Sequence, residues 1–374
     1  MEYRVMEKIG VKASLLGFGC MRFPRKDDGS INEELAAEMI ETAYKSGVNY
    51  FDTAYGYHNG ESERFTGRVL DRFERSSYYL ATKLPCWLVH TREDVRRLFN
   101  EQLQKLNKEY VDFYLLHALN KGQFDRMVSL GVLDILDDLR KEGRIRYIGF
   151  SFHDSFDAFK YILEYRQWDF CQIQLNYMDT DIQAGLKGYE LTEKYNIPLI
   201  IMEPVKGGSL ARLPENVDRI LKEADPDRST ASWALRWVAS LPNVKVVLSG
   251  MSDMDQVMDN LKTFDGFKAL SDEEKQAIDA VVQAMRSRVK NGCTGCRYCM
   301  PCPSGVDIPE NFSIWNEYGI YDNIWSTKWR WENQIDDSAK AKNCIECGKC
   351  EEACPQNLSI REDLKTLQAE LDAL

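Results

Sequence analysis

Residues 79–117, YLATKLPCWLVHTREDVRRLFNEQLQKLNKEYVDFYLLH, contain the repeating unit on which the fold prediction depends. A short apolar run at 79–83 is followed by a helical stretch at 92–106 and by a second apolar run at 111–117. In the middle segment apolar residues recur at three- and four-residue intervals, as in a helix with one buried face. Two strands joined by a crossover helix run parallel, so this stretch predicts a βαβ unit.

The same alternation extends from residue 14 to about residue 265. Strands are predicted at 15–19, 49–52, 79–83, 111–117, 147–151, 170–175, 199–202 and 245–249. Helices are predicted at 32–45, 62–73, 92–106, 132–142, 155–165, 182–195, 230–238 and 255–264, with a further one at 272–289. Eight strand and helix units predict a parallel sheet, and closure into a (β/α)8 TIM barrel leaves no unpaired edge. An open doubly wound sheet is the competing architecture, but no GxGxxG follows the first strand. We therefore predict an α/β barrel domain over residues 1–290.

Composition limits the partners and the compartment. The chain has 374 residues, 44% of them hydrophobic, and a formal net charge of −11. This charge argues against nucleic acid and anionic membranes as partners, because both require a basic surface. Residues 1–10 alternate charged and apolar side chains and lack the apolar core of a signal peptide. We expect a cytoplasmic protein.

Eight of the eleven cysteines lie in two short runs near the C-terminal end. The second run is Cys344-x2-Cys347-x2-Cys350-x3-Cys354 followed by Pro355, the spacing with which ferredoxins bind 4Fe-4S clusters. The first run is Cys293-x2-Cys296-x2-Cys299-x2-Cys302 followed by Pro303, one residue shorter before its last cysteine. In a cytoplasmic chain such runs indicate metal ligation rather than disulfides.

In two-cluster ferredoxins the last cysteine of each run binds the other cluster. The predicted ligands are therefore Cys293, Cys296, Cys299 and Cys354 for one cluster, and Cys344, Cys347, Cys350 and Cys302 for the other. Zinc is the alternative, since paired CxxC units also form four-thiolate zinc sites, although the proline after each run fits zinc ribbons poorly. The helix-compatible spacer between the runs resembles helical ferredoxin domains of multi-centre redox enzymes. We predict a small, mainly α-helical, ferredoxin-like domain over residues 291–374.

Four polar residues stand at or just after the ends of predicted barrel strands: Asp52, Tyr57, Lys83 and His117. Chemistry in TIM barrels sits at this end of the strands. Taken singly, each residue also has a structural explanation, as a cap, a loop aromatic, a rim charge or a satisfied polar group. Together they resemble the aldo-keto reductases over about residues 3–290. The matching pieces are Gly17-Phe18-Gly19, Phe51-Asp52-Thr53-Ala54, Ala81-Thr82-Lys83, Leu115-Leu116-His117 and Ile148-Gly149-Phe150-Ser151.

The resemblance implies a role for each of the four residues. Tyr57 would be the general acid in carbonyl reduction and the base in alcohol oxidation. A phenol with a pKa of about 10 is a poor donor near neutrality, so Lys83 would lower the pKa of Tyr57. Asp52 would hold Lys83 charged, and His117 would orient the substrate carbonyl through a hydrogen bond. Trp87 is expected to border the substrate pocket.

The resemblance also implies a nicotinamide cofactor. Its expected contacts are Gly19, Met21, Ser151, Gln172, Met202, Glu203, Gly207, Gly208, Leu210, Gly250, Ser252, Gln256 and Asn260. Phe152 stands where the family usually has an asparagine, and the basic pair that grips a 2'-phosphate is absent. NADH and NADPH therefore both stay open. A flavin in the same groove is a third alternative, because a flavin converts between single electrons and hydride.

Two functions remain open. The first is an oxidoreductase that transfers hydride between a nicotinamide and a carbonyl or alcohol, while two 4Fe-4S clusters exchange electrons with a redox protein. The second is a nucleotide- and redox-sensing module without turnover, as in channel-associated relatives of the family. The intact group of Asp52, Tyr57, Lys83 and His117 favours the enzyme.

Overall fold

The predicted barrel is present in a computed structural model that describes all residues, 1–374. The strands are β1 Tyr3–Met6, β2 Val11–Ser14, β3 Leu16–Gly19, β4 Tyr50–Asp52, β5 Tyr79–Leu84, β6 Val111–Leu119, β7 Ile145–Phe152, β8 Phe170–Gln174, β9 Leu199–Met202 and β10 Val244–Ser249. The first two form an N-terminal hairpin, and the other eight form a closed parallel barrel in the order β10-β3-β4-β5-β6-β7-β8-β9.

Fifteen α-helices accompany the strands. They are α1 Glu33–Lys45, α2 Ser62–Leu70, α3 Arg92–Leu106, α4 Lys121–Ser129, α5 Val132–Lys141, α6 Phe156–Tyr165, α7 Gly185–Lys194, α8 Glu215–Ala224, α9 Thr230–Ala239, α10 Met254–Phe264, α11 Asp272–Arg286, α12 Ile308–Tyr321, α13 Ile324–Asn333, α14 Lys349–Glu352 and α15 Ile360–Asp372. Every predicted barrel strand and crossover helix has a counterpart, because each buries an apolar face between sheet and helix layer.

The hairpin β1–β2 was not predicted from the sequence. Its strands are antiparallel and only four residues long, too short for their alternation to be distinctive. Met6, Val11 and Ala13 are buried and pack with Tyr50 and Phe113 of the barrel interior. Tyr50 begins its strand and Phe113 lies near the start of its own, so the hairpin closes the N-terminal end of the barrel. The opposite end carries the candidate site.

The chain divides into two compact units. One comprises residues 1–207 and 231–271, and the other comprises residues 208–230 and 272–374. Helix α11 belongs to the second unit, where it packs against α8. The expected domain boundary at residue 290 stays a prediction. No helix combines the length and the apolar character needed to cross a bilayer.

The second unit is built from helices around its own apolar core. Helix α12 packs against both α13 and α15, and Phe312, Trp315, Trp331 and Leu367 are buried between them. Six of the eight clustered cysteines border this core, namely Cys293, Cys299, Cys302, Cys344, Cys350 and Cys354. The thiols are therefore held by a packed scaffold.

Candidate functional site

Three adjacent strands bring the four predicted catalytic residues together. Asp52 ends β4, Lys83 lies near the end of β5, and His117 lies near the end of the neighbouring strand β6. Tyr57 opens a short 3-10 turn directly after β4, and His58 and Asn59 in that turn have positive φ angles. Because the strands are parallel, their carboxyl ends meet at one end of the barrel.

Lys83 is the centre of the arrangement. Its side chain is only 1% exposed, and its ammonium donates to Asp52 Oδ1 at 2.6 Å, to the Thr53 carbonyl at 2.8 Å and to Tyr57 Oη at 3.2 Å. An ammonium has three protons, so all of its donors are used. The phenol oxygen of Tyr57 accepts one of these bonds, which leaves its own hydroxyl hydrogen available to another acceptor.

The ionisation of these groups follows from their burial. Burial alone would lower the pKa of Lys83, but the carboxylate of Asp52 and the Tyr57 phenol raise it above its ordinary value, so the lysine is an ammonium. Burial raises the pKa of Asp52 against the pull of Lys83. Burial also raises the pKa of Tyr57 and outweighs the nearby ammonium. Lys83 therefore acts on the pKa of Tyr57 in the expected direction, but the net pKa is raised because desolvation of a phenolate costs more than Lys83 returns.

His117 faces the same space. Its ring lies edge-on to Tyr57 with centroids 6.0 Å apart, and the ring of Trp87 lies 5.2 Å away. Burial, with the charge of Lys83, lowers the pKa of His117 to about 3, so the imidazole is neutral. Its Nδ1 is buried without a hydrogen-bond partner. The exposed Trp87 thus lies beside His117, and its role as a pocket wall stays a prediction.

Ser151 and Gln172 lie directly opposite each other on β7 and β8. Ser151 Oγ accepts a hydrogen bond from the Ala118 backbone at 2.8 Å. Gln172 Nε2 donates to the sulfur of Met202 at 3.5 Å, whereas its Oε1 is buried without a partner. An unpartnered buried amide oxygen is costly, and a bound amide N–H would satisfy it.

A third group forms where β3 and β10 end. A side chain on Gly19 would approach the Ser249 carbonyl to 3.2 Å, so glycine permits this close contact. A side chain on Gly250 would come within 2.7 Å of Arg22 Cγ, and Ser252 Oγ donates to the Arg22 carbonyl at 2.8 Å. Arg22 thus stands beside Gly250, although the two are far apart in the chain.

The other predicted cofactor contacts vary in their surroundings. Gln256 is tied to Asp253 at 2.6 Å, and Asn260 Nδ2 donates to Ser249 Oγ at 2.8 Å. Glu203 and Gly207 lie in the loop after β9, where both have positive φ angles. Met21 is half-exposed in the loop after β3. Gly208 and Leu210 belong to the second unit, and their cofactor role stays a prediction.

The cysteines line two cavities in the second unit. One is lined by Cys302, Cys344, Cys347 and Cys350, together with Cys299. The other is lined by Cys293, Cys296, Cys299 and Cys354. Each cavity therefore receives the first three cysteines of one run and the last cysteine of the other, the same grouping as the predicted ligand sets. No three of the His, Cys, Asp or Glu side chains converge closely enough to hold a single metal ion. Thiols spread around a cavity suit a cluster, in which each iron takes one cysteine.

The two runs also fold alike. The residue before the second cysteine has a positive φ in both, 68° at Gly295 and 58° at Glu346. The residue after it does too, 64° at Arg297 and 78° at Gly348. In both runs a backbone N–H points at the first sulfur, Gly295 N to Cys293 Sγ at 3.5 Å and Glu346 N to Cys344 Sγ at 3.4 Å. The shorter end of the first run therefore does not change the turn around its first three cysteines.

Sequence reasoning missed three contributors. Arg22 is one, since Ser252, its partner, is 230 residues away. The Thr53 carbonyl is another, because a backbone acceptor has no sequence signal. The third is Gln102 on α3, fully buried, whose Nε2 donates to the Lys83 carbonyl at 2.9 Å and to Glu63 at 2.7 Å. Its only signal was a polar residue on the apolar face of a predicted helix.

Comparison with known proteins finds two matched parts of the chain. Residues 15–283 match the family model of the aldo/keto reductase family, and residues 292–358 match that of a 4Fe-4S dicluster domain. L-galactose dehydrogenase of Arabidopsis thaliana is 26% identical over 82% of this chain and 98% of its own length. The NADH-specific methylglyoxal reductase of Escherichia coli is 24% identical over 63% of this chain and 84% of its own.

Among solved structures, the holo form of aldo-keto reductase AKR11C1 from Bacillus halodurans superposes with a TM-score of 0.64 at 25% identity. It covers 75% of this chain and 96% of its own. The barrel, the residues at the ends of its strands and the family match agree with one another. The chain therefore belongs to the aldo/keto reductase family and carries a 4Fe-4S dicluster domain towards its C-terminal end.

Proposed function

We propose that the protein transfers hydride between a nicotinamide cofactor and a small carbonyl or alcohol substrate, and that two 4Fe-4S clusters exchange electrons with a redox partner. The observation that carries the first part is the buried contact of Lys83 with both Asp52 and Tyr57. Family membership supports an oxidoreductase.

The proton in carbonyl reduction comes from Tyr57. Its oxygen accepts a hydrogen bond from Lys83, so its hydrogen can point to a substrate oxygen. The raised pKa of Tyr57 keeps the phenol protonated near neutrality. As the proton leaves, the phenolate forms within hydrogen-bond distance of an ammonium that Asp52 keeps charged. Charge that develops beside a fixed opposite charge is stabilised without reorganisation.

His117 positions the substrate in this scheme. A neutral imidazole has one N–H and can donate a hydrogen bond to a carbonyl oxygen. The low pKa of His117 keeps it neutral, so it polarises the carbonyl without competing with Tyr57 as the acid. Trp87 supplies an apolar wall beside it.

The nicotinamide would lie over the strands that follow. When bound, it supplies or accepts the hydride. The unpartnered Oε1 of Gln172 fits the N–H of its carboxamide, and Ser151 lies opposite on the next strand. Met202 can pack against a ring face. The relative from Escherichia coli is named as NADH-specific, whereas Arg22 beside Gly250 offers this chain a cation for a 2'-phosphate.

The cysteines would hold the clusters in the crossed sets. Cys293, Cys296, Cys299 and Cys354 line one cavity, and Cys302, Cys344, Cys347 and Cys350 line the other. When bound, such clusters carry single electrons. Two clusters in one small domain suit passage of electrons to or from a second redox protein.

Anaerobically purified protein tests both parts. We expect it to contain iron and sulfide for two clusters, and to reduce methylglyoxal with NADH or to oxidise L-galactose with NAD+, the substrates that the relatives' names suggest. Tyr57→Phe should lower kcat by about a hundredfold to ten-thousandfold, the contribution typical of positioned proton transfer.

The matched control for Tyr57→Phe is Tyr55→Phe, which removes a hydroxyl that donates to Glu101. This control should keep full activity, and both variants should keep the visible absorption of the clusters. Full activity of Tyr57→Phe would refute the hydride-transfer assignment. Zinc in place of iron would refute the cluster assignment.

A further inference from the structure

The two cysteine runs are matched in most respects, so their few differences can be isolated. Each run has a backbone N–H directed at its first sulfur at nearly the same distance. Each cavity is bordered by an arginine paired with a carboxylate, Arg297 with Asp307 at 2.9 Å and Arg361 with Glu351 at 2.7 Å. Features of these two kinds occur at both cavities, so their presence does not distinguish one cavity from the other.

The last cysteines of the two runs also begin the same turn. Gly305 N donates to the Cys302 carbonyl at 3.0 Å, and Asn357 N donates to the Cys354 carbonyl at 3.1 Å. Gly305 and Asn357 both have positive φ angles. Residue by residue, Ser304 therefore occupies the place in one turn that Gln356 occupies in the other.

The side chains at this place differ in what they contact. Ser304 Oγ lies 3.4 Å from Cys302 Sγ. Gln356 borders the other cavity and makes no hydrogen bond to Cys354. A cysteine that binds iron has lost its proton, so the serine hydroxyl must be the donor and the sulfur the acceptor. The sulfur of Cys302 thus has a side-chain hydroxyl as a hydrogen-bond donor, and the sulfur of Cys354 has none.

A second difference between the two runs also places a group that favours negative charge at the Cys302 cavity. Lys349 lies between Cys347 and Cys350, the second and third cysteines of its run. It borders the Cys302 cavity and forms no ion pair. Tyr298 stands at the equivalent place in the first run. Lys349 is exposed, so its charge is screened by water and counts for less than the serine contact.

We propose that Ser304, assisted by Lys349, sets the cluster of Cys302, Cys344, Cys347 and Cys350 at a higher reduction potential than the cluster of Cys293, Cys296, Cys299 and Cys354. Reduction adds negative charge to a cluster, and hydrogen bonds to its sulfurs and nearby positive charge favour that state. This inference rests on the proposed binding of two clusters. It names the cluster on which a single added electron resides.

An electron-paramagnetic-resonance redox titration of the full, cluster-loaded chain tests this order. The wild-type protein should show two midpoint potentials. Ser304→Ala should lower the higher midpoint potential. The expected size is a change of about fivefold to tenfold in the reduction equilibrium constant, where tenfold corresponds to about 59 mV for one electron. Lys349→Gln should lower the same midpoint by less. The lower midpoint should not move in either variant.

Two further variants separate the hydroxyl from the fold of the turn. Ser304→Thr keeps the hydroxyl and should keep the wild-type potentials, and Gln356→Ala, the matched change in the other turn, should leave both midpoints in place. A Ser304→Ala protein with unchanged midpoints, or a wild-type protein whose two clusters titrate at one potential, would overturn the inference alone. Iron content below that of two clusters would overturn the proposed function and this inference with it.

Discussion

The buried pair of Asp52 and Lys83 gives a prediction about stability that does not depend on knowing the substrate. Three variants are needed: Asp52→Asn, Lys83→Met and the double change. Each single variant leaves one member of the pair without its opposite charge in a place where the side chains are 4% and 1% exposed. The double variant leaves no charge to bury.

The size of the effect follows from the distance. At 2.6 Å, two unit charges in a medium of effective dielectric constant about 20 attract by about 6 kcal/mol. The cost of removing both ions from water offsets part of this attraction, and loss of one partner from a buried pair costs about 3–5 kcal/mol. Asp52→Asn should lower the free energy of unfolding by about 3 kcal/mol, the lower end of this range. The reason is that the amide oxygen can still accept a hydrogen bond from Lys83, as the Thr53 carbonyl does at 2.8 Å.

Lys83→Met should cost a similar amount, because a lone Asp52, whose pKa burial already raises, can take up a proton. The double variant should be no less stable than either single variant, which corresponds to a coupling of about 3 kcal/mol. Urea unfolding of the full chain, followed by far-ultraviolet circular dichroism, measures all four proteins. Costs that simply add in the double variant would show that the two groups are not coupled, and the account of Lys83 as an ammonium held by Asp52 would be wrong.

Two further predictions concern the cofactor and the histidine. Arg22→Ala should raise the KM for NADPH by about tenfold and leave that for NADH unchanged, as expected for one lost contact to a phosphate; equal effects on both cofactors would contradict a 2'-phosphate role. The pKa of His117 is lowered to about 3, so between pH about 6.5 and 3 the unfolded chain binds a proton that the folded chain does not. The free energy of unfolding should therefore fall as the pH decreases through that window, and His117→Gln should make the fall less steep; identical slopes in urea titrations at several pH values would count against a buried neutral imidazole.

Periodicity was enough to predict the barrel. The strands β5 and β6 and the helix between them were evident from residues 79–117 alone, because buried faces impose their spacing on nearby residues. The hairpin β1–β2 was not evident, since four-residue strands carry too little pattern. The helices α4 and α8 were missed for another reason: each lies between a barrel strand and the crossover helix that had already been assigned to it.

The candidate site shows the same limit. Its four polar residues could be named because each follows a strand, and parallel strands end together. The direction of the Tyr57 pKa could not be named, because it depends on the balance between burial and one ammonium, and both are set by how the barrel closes around them.

The sequence by itself determined the alternation that makes a barrel, the residues at the ends of its strands and the spacing of the two cysteine runs, because all of these are relations between residues close in the chain. Only the tertiary structure decided that Arg22 stands beside Gly250 and that Gln172 keeps an unpartnered oxygen. It also decided that Ser304 makes a hydrogen bond with Cys302, whereas Gln356 makes none with Cys354. Such contacts depend on side-chain direction and on segments far apart in sequence, which only closure of the barrel and packing of the helices bring within hydrogen-bond distance.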